Sequence, residues 1–595
     1  MKQTETVTGT AKFFAIAVMV FAAFFRFTGI NWDQSAHLHP DERFLTMVAT
    51  NISWPRTVAE YFDTSASPLN PHNRDFSFYV YGTYPVHLTK LIATLSGRAT
   101  YDGIAIVGRL LSASADLVTL FFVILIAYHL TKSIWAGILA GFCYAVSVIP
   151  IQLSHFFTVD PYVTAFTTIA LYRLIRHKVD ILTGIAVGFA VSAKISAVLI
   201  LPICVIALFT GFHWRTDTKK HFSRLLLQGS SFFIGFMATV RVAYPYLFAG
   251  WAINQDVINN WKQLASFDGP TTGFPPGIQW IGVHPWQVPL DLLVWGLGIP
   301  LGSITLGAFC YFLFRVLSGR NKTAIGIIIA WIILVLTYQS LQFAKPMRYV
   351  WTAYPSLAVL SGLFLYGIAK KISRSLPHTG AAGIWGIFLL GITLSAWPTA
   401  FLSVYTTTHS RIAANIWIYT TLPRGSAIAW EHWDDPLPFP MRELSPSVYQ
   451  QIQLPSFDPD DKEKMPKIAD VLSRSDYLIL SSNRAYGALL RAKHRFPQTS
   501  RFYENLLAGK LGYTVAKQFT SRPTIPLPIP PLCLRMPFFS YGAVSRPIEE
   551  CPSSGITVID DYADETFTVY DHPKVIILKN VRRISYNDLL PLLYE

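Results

Sequence analysis

The stretch Asn31-Trp32-Asp33-Gln34-Ser35-Ala36-His37-Leu38-His39-Pro40-Asp41-Glu42-Arg43-Phe44 places two adjacent carboxylates, two imidazoles and a guanidinium just beyond the first apolar run. Neighbouring side chains on a helix or strand cannot face the same way, so Asp41 and Glu42 are expected to hold two roles rather than share one. In a transfer reaction one carboxylate can take the acceptor proton, and apolar surroundings raise its basicity. The other can orient the acceptor or the neighbouring Arg43. The same residues also spell an ordinary helix start, because proline in the first turn followed by acids suits a helix N-terminus. Residue types alone leave both readings open.

Further on, His155-Phe156-Phe157-Thr158-Val159-Asp160-Pro161 ends a loop and opens an apolar run, with Asp160 its only acid. Asp before Pro is also a standard helix-start signal, favoured by the helix dipole. Cations recur beside apolar runs: Arg109, Lys194 in Ser192-Ala193-Lys194-Ile195-Ser196, Arg241 before Tyr244-Pro245-Tyr246, and Lys345 and Arg348 around Pro346-Met347. Any one of them could simply reach back to water. Several on one side point to a bound anion, and a lipid phosphate is the anion found at that depth. Arg109 and Asp116, seven apart, could instead pair with each other. His37, His39, Asp41, Glu42, His155 and Asp160 carry ligands suited to a divalent cation. Their spacing matches no metal motif, so a cation is an alternative rather than a requirement. A P-loop, a dinucleotide-binding glycine fingerprint and a Gly-x-Ser-x-Gly elbow are all missing, which leaves nucleotide-driven transport and serine hydrolysis unsupported.

The elements that must position these residues are membrane helices. The chain is 52% hydrophobic and only 14% charged, which fits a membrane protein better than a soluble one. Its net charge of +14 does not signal nucleic acid, because the basic residues form short clusters between apolar runs. Runs of about 20 residues, enough for a ~30 Å hydrocarbon core, occur near 11–30, 104–130, 134–150, 160–176, 181–212, 225–247, 288–316, 323–342, 349–369 and 381–405. The 181–212 run is broken at Lys194 and counts as two short helices joined by a polar turn, which gives about eleven spans. The first run lacks a small-residue cleavage site and is expected to stay as an uncleaved helix.

With eleven spans, Lys132, Arg173, Arg176, Lys178, Arg215, Lys219, Lys220, Arg224, Arg315, Arg320, Lys322, Lys370, Lys371 and Arg374 all fall on one side. By the positive-inside rule that side is cytoplasmic. The N-terminus is then cytoplasmic, and residues 31–103, the loop ending at Asp160, the Lys194 turn, residues 248–287, the segment 342–348 and the C-terminal tail lie outside.

Of the 35 acidic residues, 20 follow residue 405, so the tail has soluble composition and a domain boundary is placed near 406. Residues 1–405 form the membrane domain and 406–595 the outer one. Helices are expected at Arg411–Thr420 and Asp461–Ser473, and strands at Ser426–Trp430, Asp476–Ser481 and Phe567–Leu578, a small α/β domain. Pro523–Pro537 reads as an extended connector. Cys143, Cys204 and Cys310 lie in apolar runs as packing residues, whereas Cys533 and Cys551 can either pair or stay free. Neither an internal repeat nor a GxxxG helix-packing signal is read from the chain.

Taken together, Leu38-His39-Pro40-Asp41-Glu42-Arg43-Phe44, Arg109-Leu110-Leu111-Ser112-Ala113, Phe156 to Pro161, Ala193 to Ser196 and Phe343 to Tyr349 resemble the lipid-carrier-dependent glycosyltransferases of the GT-C fold. The resemblance is to the protein O-mannosyltransferase and aminoarabinose transferase group, over residues 1 to about 405. It implies a GT-C membrane domain that transfers a monosaccharide, with inversion, from a polyprenyl-phosphate carrier to a lipid, glycan or protein acceptor at the outer membrane face. Asp41 would be the general base, with Glu42 assisting or positioning it. Arg109, Arg348, Lys194 and Arg241 would hold the donor phosphate, and Asp160 would stabilise positive charge on the sugar. His39, Arg43 and His155 are candidate sugar or acceptor contacts. Two departures stand out: Arg43 directly follows Glu42, where aminoarabinose transferases place one residue between, and no β-trefoil insertion is found. Glu431-His432-Trp433-Asp434-Asp435 and the aromatic strand near Tyr570 look like those of bacterial and archaeal members. The enzyme alternative is an oligosaccharide or lipid-linked glycan transferase that uses a metal at the same acids, and the rival class is a polytopic transporter or flippase, in which the buried charges would line a path.

Overall fold

The computed structural model describes residues 9–210, 218–271, 273–320, 323–375, 380–441 and 443–594; Arg215 and Lys322 of the orientation charges lie outside them. Among the described residues, seven helices are long and apolar enough to cross a membrane: Gly9–Phe27, Tyr101–Thr131, Phe222–Ala243, Ile299–Leu317, Thr323–Leu341, Met347–Ser375 and Phe388–Thr421. Ile134–Ala145 and Val148–Ser154 make an eighth if their 63° bend is a broken span. The count is below the eleven expected, and the reason is length. The runs at 160–176 and 181–212 fold as Asp160–Leu174, Ile181–Ala193 and Ile195–Thr210, each shorter than the about 20 residues of a full crossing. The inferred orientation therefore rests on these three short helices.

Charges inside this bundle must be paired, because an isolated ion in an apolar interior is too costly to keep. Arg26, at the end of the first helix and fully buried, pairs through Nε with Asp116, which also accepts from the Tyr144 hydroxyl. Its Nη1 donates to the carbonyls of Ala22 and Ala145, both at 3.2 Å. Ala145 ends the helix before the 63° bend, so Arg26 serves a carbonyl that the bend leaves without its helical partner. The suggested Arg109–Asp116 pair is thereby corrected: Asp116 belongs to Arg26.

Helix packing corrects a second reading. Gly184 and Gly188 are four apart on Ile181–Ala193 and face the Thr218–Ala243 helix. A Cβ on Gly184 would lie 2.0 Å from the Phe232 carbonyl oxygen, and one on Gly188 would lie 2.7 Å from the Thr239 Cβ. This is a small-xxx-small contact, which lets two backbones approach closely where no hydrophobic force drives helices together.

Residues 31–103 form a folded cap rather than a free loop. The helices Pro40–Asn51 and Tyr84–Leu95 bury Leu45, Val48, Ala49, Val86 and Ala93 against Ile104, Val107, Phe157 and Tyr246. The Gly82 amide donates to the Ala193 carbonyl at 3.0 Å, which seats the cap on the Lys194 turn.

After Thr406 the chain builds a five-stranded sheet in the order Gln450–Leu454, Ala427–Glu431, Tyr477–Leu480, Val575–Asn580, Tyr513–Phe519. The first three strands are parallel and Val575–Asn580 is antiparallel to both neighbours. Both faces are covered, as the near-continuous apolar strands Tyr477–Leu480 and Val575–Leu578 require. Leu478, Leu480, Ile576 and Leu578 face the helices Lys464–Arg474 and Pro497–Leu507, while Ile479, Val575 and Ile577 face Ser410–Thr421. The helices expected near Arg411 and Asp461 and the strands near Ser426 and Asp476 are present.

Two tail expectations are corrected. Phe567–Leu578 is not one strand: Glu565–Thr568 is a short helix, and the strand starts only at Val575, after Pro573 has interrupted the ladder. Pro523–Pro537 is not a bare connector, since Thr524–Ile525 and Leu532–Arg535 flank Ile556–Ile559 in a three-stranded sheet. The prolines lie between the paired residues, where no amide is needed. Cys533 and Cys551 form a disulfide beside that sheet.

Candidate active site

The site begins with the tight turn after the first helix. Gln34, Ser35 and His37 all have positive φ, between 50° and 62°, a region costly for residues with a side chain. Asp33 holds the turn by accepting from the Ser35 amide at 3.3 Å and the Leu38 amide at 3.3 Å. His39 then caps the helix Pro40–Asn51: its Nδ1 accepts from the Glu42 amide at 3.3 Å, with Pro40 in the first turn. The helix-start reading thus describes the backbone here, and it fixes where the two acids point.

Glu42 points inward. Its carboxylate takes two hydrogen bonds from Arg109, at 2.9 Å from Nε and 2.5 Å from Nη2, and a third from the Phe157 amide at 2.8 Å. Arg109 also reaches Asp33 at 2.8 and 2.9 Å and the Ile30 carbonyl at 2.9 Å, and its guanidinium lies over the Trp32 ring. Four of the five guanidinium N–H groups are therefore in hydrogen bonds, and Nη2 also lies 2.8 Å from Asp33 Oδ2. Burial acts to raise the Asp33 pKa, but the charge and hydrogen bonds of Arg109 hold it below the usual carboxylate range. Arg109 is thus committed to Asp33 and Glu42, and the expectation that it binds a phosphate is corrected.

Asp41 points the other way, to Arg348 at 2.5 Å. Arg348 and Lys194 sit against the same Tyr349 ring, 5.4 and 4.7 Å from its centre, and Lys194 pairs with Asp160 at 2.8 Å. Asp41, Arg348, Tyr349, Lys194 and Asp160 therefore form one row in which carboxylates stand at the ends and cations in the middle. The row is open: its charged side chains keep 13–27% of their surface exposed, against 0–1% for Glu42 and Arg109. Burial pushes Asp41 up, but Arg348 and then His39 and Lys194 hold it down at about 2.

The elements that bring the row together are the cap helix for Asp41, the start of Asp160–Leu174 for Asp160, the C-terminal cap of Ile181–Ala193 for Lys194, and the 3-10 turn Met347–Ala353 for Arg348. Arg241 does not join it. Its guanidinium packs over Phe62 and Phe248 and donates to the Pro245 carbonyl at 3.1 Å. Lys345 donates to the carbonyls of Gln342 and Phe343 in its own loop.

His39 packs between Phe156 and Tyr570 with tilted rings, centres 4.5 and 4.3 Å away, and burial lowers its pKa. His155 is a buried pillar: its ring stacks on Tyr405 at 3.6 Å and its nitrogens meet the carbonyls of Ile151 and Thr28. That placement leaves His155 no free edge for a sugar and corrects its candidacy as a contact. Arg43 turns to Asp435 of the C-terminal domain at 3.2 Å, and Asp435 is also held by Arg411 at 3.1 Å.

Among the described residues no three of His, Cys, Asp and Glu gather as a metal site. The acids of the row do not fit a divalent ion either, because Asp41 and Asp160 each already face a side-chain cation.

Reasoning from sequence missed Tyr570 as a site residue, although its aromatic surroundings had been noted. It also missed Asp33, whose role depends on a turn that residue spacing does not encode. No curated protein matches the chain. In structure the chain is similar to the archaeal oligosaccharyltransferase AglB from Archaeoglobus fulgidus in complex with an inhibitory peptide and a dolichol-phosphate, at 12% identity and a TM-score of 0.49, covering 83% of this chain and 72% of that one. It is similar to ArnT from Cupriavidus metallidurans bound to undecaprenyl phosphate, at 14% identity and a TM-score of 0.42, covering 70% and 73%. It is also similar to the S. cerevisiae protein O-mannosyltransferase Pmt1-Pmt2 complex bound to the sugar donor, at 18% identity and a TM-score of 0.33, covering 45% and 36%. In sequence, residues 58–243, which hold Asp160 and Lys194 of the row, match the family model of dolichyl-phosphate-mannose-protein mannosyltransferases.

Proposed function

We propose that the chain is an inverting glycosyltransferase that moves a monosaccharide from a polyprenyl-phosphate carrier to an acceptor hydroxyl at the outer membrane face. The observation that carries this is the open row Asp41, Arg348, Lys194, Asp160. Two cations on one aromatic ring suit a phosphate, and the carboxylates at either end suit a proton acceptor and a stabiliser of sugar cation character. The family match over residues 58–243 supports a donor of the polyprenyl-phosphate-sugar type and favours a transferase over a transporter.

In this reading the donor phosphate settles against Lys194 and Arg348. Its negative charge competes with Asp41 for Arg348, and a carboxylate losing its cation becomes a stronger base. Asp41 then takes the proton from the acceptor hydroxyl while that oxygen attacks the anomeric carbon from the face opposite the phosphate. The bond from carbon to phosphate oxygen breaks with its electrons, and the polyprenyl phosphate leaves with a growing charge that Lys194 and Arg348 stabilise. Asp160 faces the positive charge building on the sugar ring. Glu42, sealed against Arg109, positions the helix that carries Asp41 and touches no substrate. The acceptor hydroxyl belongs to a lipid, a glycan or a protein.

The row asks for no metal, so transfer is expected to survive EDTA. The chain would lie in the plasma membrane with its N-terminus cytoplasmic and its C-terminal domain outside. The Cys533–Cys551 disulfide supports that side, since such bonds persist in oxidising compartments. The test is transfer from a labelled polyprenyl-phosphate sugar by the full chain in reconstituted membranes. Asp41→Asn should abolish it while the protein stays folded, and wild-type-like transfer by that variant would remove the base assignment.

A further inference from the structure

The C-terminal domain reaches the row through the segment that carries Tyr570. Tyr570 lies against His39, two residues before Asp41, and lines a cleft shared with Phe156, Met347, Arg348 and Thr566. Its side chain is half-buried, and its hydroxyl has no hydrogen-bond partner among the described residues. The Tyr570 ring thus shares a cleft with Arg348, and its hydroxyl is left free to meet a ligand rather than the protein. Burial and then the Asp41 charge raise its pKa to about 12, so it stays a neutral donor at physiological pH.

The backbone around Tyr570 is tied down on several sides. The Tyr570 carbonyl accepts from His409 at 3.0 Å, and the Asp571 carboxylate accepts from the Tyr405 hydroxyl at 2.7 Å and from Gln152 at 3.1 Å. His572 is clamped between Asp571 at 2.5 Å and Asp560 at 2.9 Å. Tyr405 and Gln152 belong to the membrane helices, so these bonds dock the Tyr570 segment rigidly onto the membrane domain. Firm positioning together with a free polar tip is what a substrate contact needs.

We propose that Tyr570 is an acceptor-binding residue: its hydroxyl donates a hydrogen bond to a polar atom of the acceptor and sets the attacking hydroxyl against Asp41. The acceptor side is assigned because Tyr570 lies against His39, which caps the helix that carries Asp41. The active site is then completed by the C-terminal domain. This inference rests on the glycosyltransferase reading.

The test uses the full chain in nanodiscs of native membrane lipid with polyprenyl-phosphate-mannose as the donor probe. Three signals are followed: transfer to membrane acceptors, hydrolysis of the donor by water, and the thermal shift produced by undecaprenyl phosphate. Tyr570→Phe keeps the ring packed on His39 and removes only the hydroxyl. Transfer is expected to fall about ten-fold, the size of one lost hydrogen bond, with hydrolysis and the thermal shift unchanged. Wild-type transfer by the variant overturns the assignment. So does an equal loss of transfer and hydrolysis, which would mark a structural or donor-side role. If the wild type shows no thermal shift with undecaprenyl phosphate, the glycosyltransferase reading itself fails and takes this assignment with it.

Discussion

Glu42 and Arg109, 67 residues apart, meet through two hydrogen bonds in a space sealed from solvent, while Asp41, the neighbour of Glu42, meets Arg348 in the open. One residue step, about 100° around the helix, thus separates a sealed carboxylate from an accessible one. Removing one partner of a buried pair leaves the other charge stranded, at a cost of about 3–5 kcal/mol. Glu42→Gln is therefore expected to lower the melting temperature of the purified protein by several degrees and to reduce the yield of folded chain. Asp41→Asn, at a partly exposed pair, should melt within about a degree or two of wild type, and yet lose transfer by about a hundred-fold or more. Thermal melts in detergent beside transfer assays separate the two, and the idea fails if Asp41→Asn proves the less stable variant.

The acid limb of activity should answer to Arg348. Burial acts to raise Asp41 and Arg348 is the leading influence that lowers it, to about 2 in the free protein. A depressed carboxylate stays ionised as pH falls until its folded pKa is reached, so wild-type kcat/KM should show no limb from Asp41 above about pH 4. Arg348→Gln leaves the burial and removes the cation. The limb should then move upward by about one to two pH units within whatever activity remains. A pH–rate profile of kcat/KM for the two proteins measures this, and an unmoved limb would separate Arg348 from Asp41.

Much of the site was legible because its residues advertise themselves. Asp160, Lys194 and Arg348 are charges beside apolar runs and Asp41 belongs to a charged cluster at the end of one, where each must find a partner or a ligand. That Asp41 and Glu42 face different partners was legible too, since adjacent helix residues diverge by about 100°. What spacing could not supply was the identity of partners across the fold. Arg109 and Arg348 look alike beside a membrane helix, yet only Arg109 meets Glu42 and Asp33, because the Asn31 to Leu38 turn folds Asp33 back beneath it. Arg26 took the Asp116 that local spacing offered to Arg109. The Lys194 break was legible as well, whereas hydropathy did not show that the helices at 160–174, 181–193 and 195–210 are each shorter than a full crossing.

The docking of the C-terminal domain should depend on pH through His572. Burial alone would lower its pKa, but Asp571 and Asp560 on either side lift it to about 10. For a group raised from an unfolded value near 6.5, the stabilisation is complete below that value and is lost as pH rises through about 10. The melting temperature of the wild type should therefore fall between pH 7 and pH 10.5. His572→Gln should melt lower than wild type at pH 7, fall less over the same range, and converge with it near pH 10.5. Melting curves at stepped pH decide the matter, and parallel curves for the two proteins would exclude a charged His572.

Gly184 gives the last prediction, because its packing role is independent of the chemistry. The Phe232 carbonyl oxygen would stand only 2.0 Å from a Cβ at this position, and a backbone atom cannot rotate away as a side chain can. Gly184→Leu should therefore force Ile181–Ala193 away from the Thr218–Ala243 helix, since overpacking of this kind costs about 1–3 kcal/mol or more. Lys194 caps the same helix, so the displacement should also carry it away from Asp160. Expected are a lower melting temperature and a raised KM for the polyprenyl-phosphate donor, with less effect from Gly229→Leu, whose Cβ would meet nothing within 4 Å. Equal behaviour of the two leucine variants would show that close approach of these helices does not position Lys194.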